Sequence, residues 1–218
     1  MNEKIRILFL LSNPKNISSL QLGKEMREIE GKVRVGKFRD AFELKAQLAV
    51  RPSDLQEALL HFEPHIVHFS GHATENEQIL LENDDGDSKP VGKEALTKLF
   101  RILRDNLRLV VLNACFSQTQ AEAINETIDF TVGTSKAVKD GTAIAFAATF
   151  YRSLAYGRSV RDAFDLANNE LDLTSIEGSD ITRLFVKEGA DDCAPFLVTN
   201  GATKHKRRAP QTRKSKAH

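Results

Sequence analysis

Cysteine is scarce in this chain, with Cys115 and Cys193 the only two among 218 residues. So few thiols argue against a disulfide framework and make a reducing cytoplasm the expected home. The N-terminal apolar run Ile5 to Leu11 is too short for a secretory leader and runs straight into Ser12-Asn13-Pro14-Lys15. No stretch approaches the roughly 18 to 20 apolar residues of a membrane span, so a soluble protein without membrane contact is expected. No glycine-rich run follows the first apolar segment, so nothing predicts a phosphate-cradling loop, and no cofactor is expected.

Acids are absent from one region as well. The net charge is +1, yet Thr203 to His218 holds seven Lys or Arg, no Asp or Glu, no aromatic residue and one proline, Pro210. The remainder is therefore about −6, the total less the tail's seven. Such a tail cannot bury enough apolar surface to fold, so residues 203–218 are expected to be a disordered basic tail. Solvation accounts for its charge, which also suits weak, salt-sensitive contact with nucleic acid or an acidic partner. Residues 1–202, in a chain that is 41% hydrophobic, predict one domain around one sizeable core.

The periodicity alternates between strand and helix. Ile5 to Leu11 predicts a buried strand, followed by a helix capped by Ser18 or Ser19, with Leu22, Met26, Ile29 and Val33 on one face. Phe42 to Val50 alternates apolar and polar residues as a strand with one wet face does, although a helix also fits. Ser53-Asp54-Leu55-Gln56 has capping-box spacing and predicts a helix through Leu55, Leu59 and Phe62. Next comes the strand ending at His72. Asn83-Asp84-Asp85-Gly86-Asp87 then predicts a hairpin turn within Gln78 to Val91. Leu96, Leu99, Phe100 and Leu103 mark a further helix before the strand ending at Cys115. Ser117-Gln118-Thr119-Gln120 repeats the capping-box spacing, Phe130 to Gly133 predicts a fifth strand, and helices follow over Asp140 to Tyr156 and Ser159 to Leu171. This alternation predicts an α/β three-layer sandwich with a mostly parallel central sheet.

Two strand ends carry the chemistry. Ile66-Val67-His68-Phe69-Ser70-Gly71-His72 and Val110-Val111-Leu112-Asn113-Ala114-Cys115 place a base and a thiol at the carboxyl ends of buried strands, where a parallel sheet forms its crevice. A thiol facing a helix N-terminus gains thiolate character from unpaired N–H groups. His72 within reach would take the thiol proton, a step worth about 10² to 10⁴ in rate. The N–H groups of Gly71 and Cys115 are the expected oxyanion hole, each donor being worth roughly 3 kcal/mol. The structural alternative is that Cys115 is one more buried cysteine and His72 a satisfied polar residue. His68, inside its strand, reads as a core histidine or a support for the base. A zinc site of His68, His72 and Cys115 is not expected, because Gly71 interrupts a strand where a helix would be needed to align the His-x-x-x-His pair.

In this order, Ile5-Arg6-Ile7-Leu8-Phe9-Leu10, Arg51-Pro52-Ser53-Asp54-Leu55, His68-Phe69-Ser70-Gly71-His72, Asn113-Ala114-Cys115 and Ala143-Ile144-Ala145-Phe146-Ala147 resemble the CHAT-domain caspase-like cysteine peptidases of prokaryotes. The resemblance runs from Ile5 to about Leu171 and implies the caspase-hemoglobinase fold. It implies that His72 is the catalytic histidine and Cys115 the nucleophile, 43 positions apart here and about 50 in caspases. Peptide-bond hydrolysis through a thioester follows from those roles. Asn113 stands where caspases carry Gln, so it would line the substrate pocket without caspase-style aspartate specificity. Ala73 replaces the glycine usual after the family's histidine, a mild departure expected to narrow the cleft mouth. Related peptidases place an acid where Asp140 stands, implying a preference for Arg or Lys before the cut; Asp140 also fits as a simple helix cap.

The resemblance implies a cysteine endopeptidase acting on protein substrates in a regulated signalling or defence pathway. The alternative is a catalytically silent caspase-like scaffold for protein interaction, and a third reading is a nucleic-acid module recruited by the basic tail. Because the first strand begins at Ile5, regulation is expected to come from a partner protein in another chain or from a small ligand.

Overall fold

The computed structural model of the chain describes residues 4–196. The expected boundary at residue 202 and the basic tail lie outside the described residues, as do positions 197 and 198 of the apolar segment that starts at Phe196. Within the described part the strands are β1 (Ile5–Leu11), β2 (Phe42–Leu48), β3 (Ile66–Ser70), β4 (Ile79–Glu82), β5 (Ser88–Val91), β6 (Leu109–Asn113), β7 (Phe130–Thr134) and β8 (Thr182–Val186). The helices are α1 (Leu22–Arg34), α2 (Pro52–Phe62), α3 (Lys93–Ile102), α4 (Gln118–Asn125), α5 (Asp140–Ala155) and α6 (Val160–Leu173).

Six strands form one sheet in the order β2-β1-β3-β6-β7-β8, and β4-β5 form a separate hairpin turning at Gly86, whose φ is 77°. All pairings in the large sheet are parallel except β7 with β8. The α/β sandwich with a mostly parallel sheet is therefore present. Strand alternation divides its two cores. Ile5, Ile7, Phe9 and Leu11 of β1 join α1, α5 and α6 on one face, while Leu8 and Leu10 join α2, α3 and α4 on the other. Each fully buried large side chain contributes about 1.5–3 kcal/mol relative to exposure. Ile66, His68 and Ser70 of β3, with Leu109, Val111 and Asn113 of β6, take the parity that faces α1.

Several local expectations shift. Neither Ser18 nor Ser19 caps α1, which begins after Gln21. The helix expected from Ser53 starts earlier, with Arg51 as N-cap and Pro52 supplying the fixed φ of a first helical residue; the Asp54 carboxylate accepts the Arg51 N–H at 3.1 Å. Ser117 is the N-cap residue of α4, but its hydroxyl donates to the Leu112 carbonyl at 2.9 Å and accepts the Thr134 N–H at 3.0 Å. The capping box is thus replaced by a tie to the sheet. Ser159, the expected first residue of the last helix, is instead the N-cap of α6 and accepts the Asp162 N–H at 3.0 Å. Phe42–Leu48 resolves as a strand, but as the sheet's edge it leaves Leu48 66% exposed. Strand β8 has no counterpart in the sequence reading, because a five-residue edge strand beginning Thr-Arg carries little periodic signal.

Gly133 is where α4 meets the sheet. A Cβ there would stand 2.8 Å from the Ala121 Cβ and 2.9 Å from the Ser117 carbonyl oxygen. Gly133→Ala is therefore expected to destabilise the fold by about 1–3 kcal/mol. A urea midpoint matching that of the wild type would show instead that α4 moves aside freely.

Candidate active site

The carboxyl ends of β3 and β6 open into a cleft of about 260 Å³ lined by His72, Cys115, Gly71, Asn113 and Asp140, the five residues singled out from sequence. Ser18, Gln21, Glu25 and Ser70 line it too. The placement follows from register. Ser70 and Asn113 are the last paired residues of the β3–β6 ladder, and His72 and Cys115 each stand two residues beyond them. Gly71 makes the exit possible, because a Cβ would meet the Phe69 ring at 2.7 Å and the Ser12 carbonyl at 3.0 Å.

The His72 Nε2 lies 2.7 Å from the Ser18 carbonyl oxygen. A carbonyl accepts and never donates, so Nε2 carries the hydrogen and, in the neutral ring, Nδ1 is the basic nitrogen. The Cys115 sulfur accepts the Val138 N–H at 3.4 Å, with the Val138 carbonyl 3.8 Å away. Phe116 follows in the left-handed region at φ 53°, a conformation costing roughly 1–2 kcal/mol for an L-residue, and turns the chain from β6 toward α4. Gly71 is engaged with the neighbouring strand. Its N–H donates to the Asn113 carbonyl at 3.4 Å and so extends the β3–β6 ladder, which leaves the expected pair of oxyanion donors incomplete in this arrangement.

Asp140 is the first residue of α5, and the N-cap is Lys139. The Asp140 carboxylate reaches away from its own helix and accepts the Gln21 N–H at 3.1 Å, so the simple capping role is not what it performs. Cys193 is exposed, and the charge of Asp192, with smaller contributions from other groups, pushes its thiol upward, away from thiolate. His68 is fully buried, with Nδ1 3.1 Å from the Tyr151 hydroxyl and Nε2 3.1 Å from Glu25 Oε1, so its ring nitrogens are engaged within the core. That agrees with the core reading and leaves no lone pair for zinc.

Glu25 was absent from the sequence reading. It is 3% exposed, and its carboxylate accepts from the Ser70 hydroxyl, the Asn113 amide and His68 Nε2. Burial pushes this carboxyl up, but the bond and charge interaction with His68 and the bonds from Ser70 and Asn113 outweigh it, so the net displacement is below the ordinary value of 4.5. A signal was available: Glu25 lies three residues after Leu22 and four before Ile29, on the apolar stripe of α1. A charge on such a stripe needs a partner.

The CHAT domain profile matches residues 9–180. A stretch of 153 residues is 26% identical to a protein of Gillisia limnaea described as a probable protease, covering 69% of this chain and 27% of that protein. A stretch of 162 residues is 26% identical to a Roc-COR-CHAT protease of an unknown prokaryotic organism, covering 71% of this chain and 15% of that protein. The chain thus spans under a third of the length of either relative. Among solved structures, caspase-1 of Spodoptera frugiperda superposes with a TM-score of 0.57 at 10% identity over 84% of this chain and 86% of that one. With the family profile running from the first strand to the turn before β8, and with a caspase alike in fold over most of the chain, the chain belongs to the CHAT-domain family and has its caspase-like peptidase fold.

Proposed function

We propose that the cleft hydrolyses peptide bonds in protein substrates, with Cys115 as nucleophile and His72 as general base and acid. The observation that carries this reading is that both residues line one cleft while the Ser18 carbonyl holds His72 in the tautomer a base requires. The Cys115 sulfur attacks the scissile carbonyl carbon as its proton passes to His72 Nδ1. The oxyanion so formed is met by the Cys115 N–H, joined by the Gly71 N–H once it exchanges its 3.4 Å bond to Asn113. Collapse breaks the C–N bond, His72 protonates the departing amine, and a thioester remains. Water then attacks the thioester, His72 takes its proton, and the acid leaves as the thiol is restored.

Asp140 brings a carboxylate to this cleft, which favours a substrate with Arg or Lys before the cut. Asn113 contributes indirectly, since its amide is engaged with Glu25. The second reading, a silent scaffold, is favoured by the Cys115 sulfur bonding to Val138 and by the occupied Gly71 N–H. On the first reading these contacts describe a resting state that a regulatory partner or a further domain releases, in a cytoplasmic signalling or defence setting.

The test is a peptide library varied at the residue before the cut, together with a peptide carrying an electrophilic carbonyl warhead. Labelling of the wild type that is absent in Cys115→Ala, with cleavage after Arg or Lys, is the expected result. Asp140→Ala is expected to weaken that preference about 10-fold, as loss of a charged hydrogen-bond partner does. No labelling of Cys115 under any condition, with candidate activators present, would leave the scaffold reading in place.

A further inference from the structure

We infer that Glu25 is the positioning residue of this site, a buried carboxylate that clamps the two strand ends on which the base and the nucleophile stand. This rests on the Cys115–His72 reading. Ser70 and Asn113 are opposed across the end of the β3–β6 ladder, and beyond them the 3.4 Å contact from the Gly71 N–H to the Asn113 carbonyl extends the pairing. Glu25 spans that end from above. One carboxylate oxygen takes the Ser70 hydroxyl, and the other takes the Asn113 amide and His68 Nε2. Since His72 and Cys115 each follow two residues later, the clamp fixes where the two chains part.

The chemistry of the clamp is one-sided. Every group facing the carboxylate donates to it, which holds Glu25 ionised although it is buried. Tyr151 stands behind His68, its hydroxyl pushed well upward by burial and by the Glu25 charge, so it stays protonated. The Phe9 and Tyr151 rings pack on His68 with centroids 5.2 and 5.5 Å away, which fixes the plane of the imidazole. The segment carrying Glu25 also holds the site at two other points. The Ser18 carbonyl orients His72, and the Gln21 N–H holds Asp140. Residues 18–25 therefore meet the base, the cleft acid and both strand ends. Displacing a catalytic group by about 1 Å costs on the order of 100-fold in rate, and that displacement is what this segment prevents.

A test that needs neither a known substrate nor a trigger is the pH profile of iodoacetamide alkylation, read in a Cys193→Ser background so that one thiol reports. At pH 6.5, well under the range of a free thiol, a His72-paired sulfur reacts faster than an unassisted one. We expect Glu25→Leu to lose about 10-fold or more of that low-pH rate while its rate at pH 9 stays within about 2-fold. Glu25→Gln, which keeps an acceptor for His68 and Asn113, is expected to stay within about 3-fold of the parent. Where Glu25→Leu does not fold, Ser70→Ala removes the tie to β3 alone and should lower the low-pH rate about 5-fold. A folded Glu25→Leu, or Ser70→Ala in its place, with the parent's full pH profile overturns the clamp. If instead His72→Ala leaves the parent profile unchanged, the dyad itself fails, an outcome separate from failure of the clamp.

Discussion

Cys115→Ala and His72→Ala are each expected to lower kcat for peptide hydrolysis by about 10³-fold or more, and the double variant to lose no more than the worse single one. The reasoning starts from the cleft that both residues line and from the 2.7 Å bond between His72 Nε2 and the Ser18 carbonyl. Without the sulfur no thioester forms. Without the imidazole the thiol keeps its proton and the leaving amine departs unprotonated, so the two losses describe one step. Independent roles would multiply, giving a double variant about 10³-fold worse than either single one. Single-turnover kinetics on a labelled peptide separates these cases, and a multiplicative result would rule out a dyad. KM is expected to move little in all three variants, because neither side chain supplies the remote binding contacts.

Glu25→Ala is expected to destabilise the fold by about 3–5 kcal/mol, the cost of breaking a buried polar cluster from one side. His68, Ser70 and Asn113 all donate to this carboxylate, and its removal strands His68, which is fully buried, and Ser70, which is 3% exposed. The pH dependence has a definite sign. The folded carboxyl titrates below its ordinary value of 4.5, so its contribution is fully present above that value and is lost as pH falls through the folded one. Wild-type stability is therefore expected to decline below about pH 4.5, and Glu25→Gln to show a flatter acid limb. Urea titrations at pH 7 and pH 3 measure both. A Glu25→Ala cost under 1 kcal/mol would mean that water or a neighbouring group replaces the carboxylate.

Much of the fold was legible because periodicity is local. Ile5 to Leu11, Ile66 to His72 and Val110 to Cys115 read as strands from their apolar residues, and those boundaries agree with β1, β3 and β6 within two residues. The hairpin around Gly86 is equally local, resting on a few adjacent residues. Capping motifs were less secure, because a serine hydroxyl has several partners within reach. Ser117 has the right spacing for a capping box, yet its hydroxyl bonds Leu112 and Thr134 across the sheet. Gly71 shows the same competition in the backbone, since the N–H expected to meet an oxyanion donates to the Asn113 carbonyl and extends a ladder.

The sequence by itself determined the order of strands and helices as far as α6, the two strand ends that bear a base and a thiol, and the family those motifs resemble. Spacing of 2.0 or 3.6 residues is written into neighbouring side chains and needs no distant partner. Only the tertiary structure decided what the polar groups do. Glu25 meets His68 across 43 positions, Ser70 across 45 and Asn113 across 88, while Ser18 reaches His72 across 54. A buried polar atom has to find its partner wherever packing brings one near, and packing is a property of the whole chain. The thiol and the base were visible one at a time; only the fold shows that both line one cleft, with the Glu25 carboxylate bonded to the last residues of the two strands that lead to them.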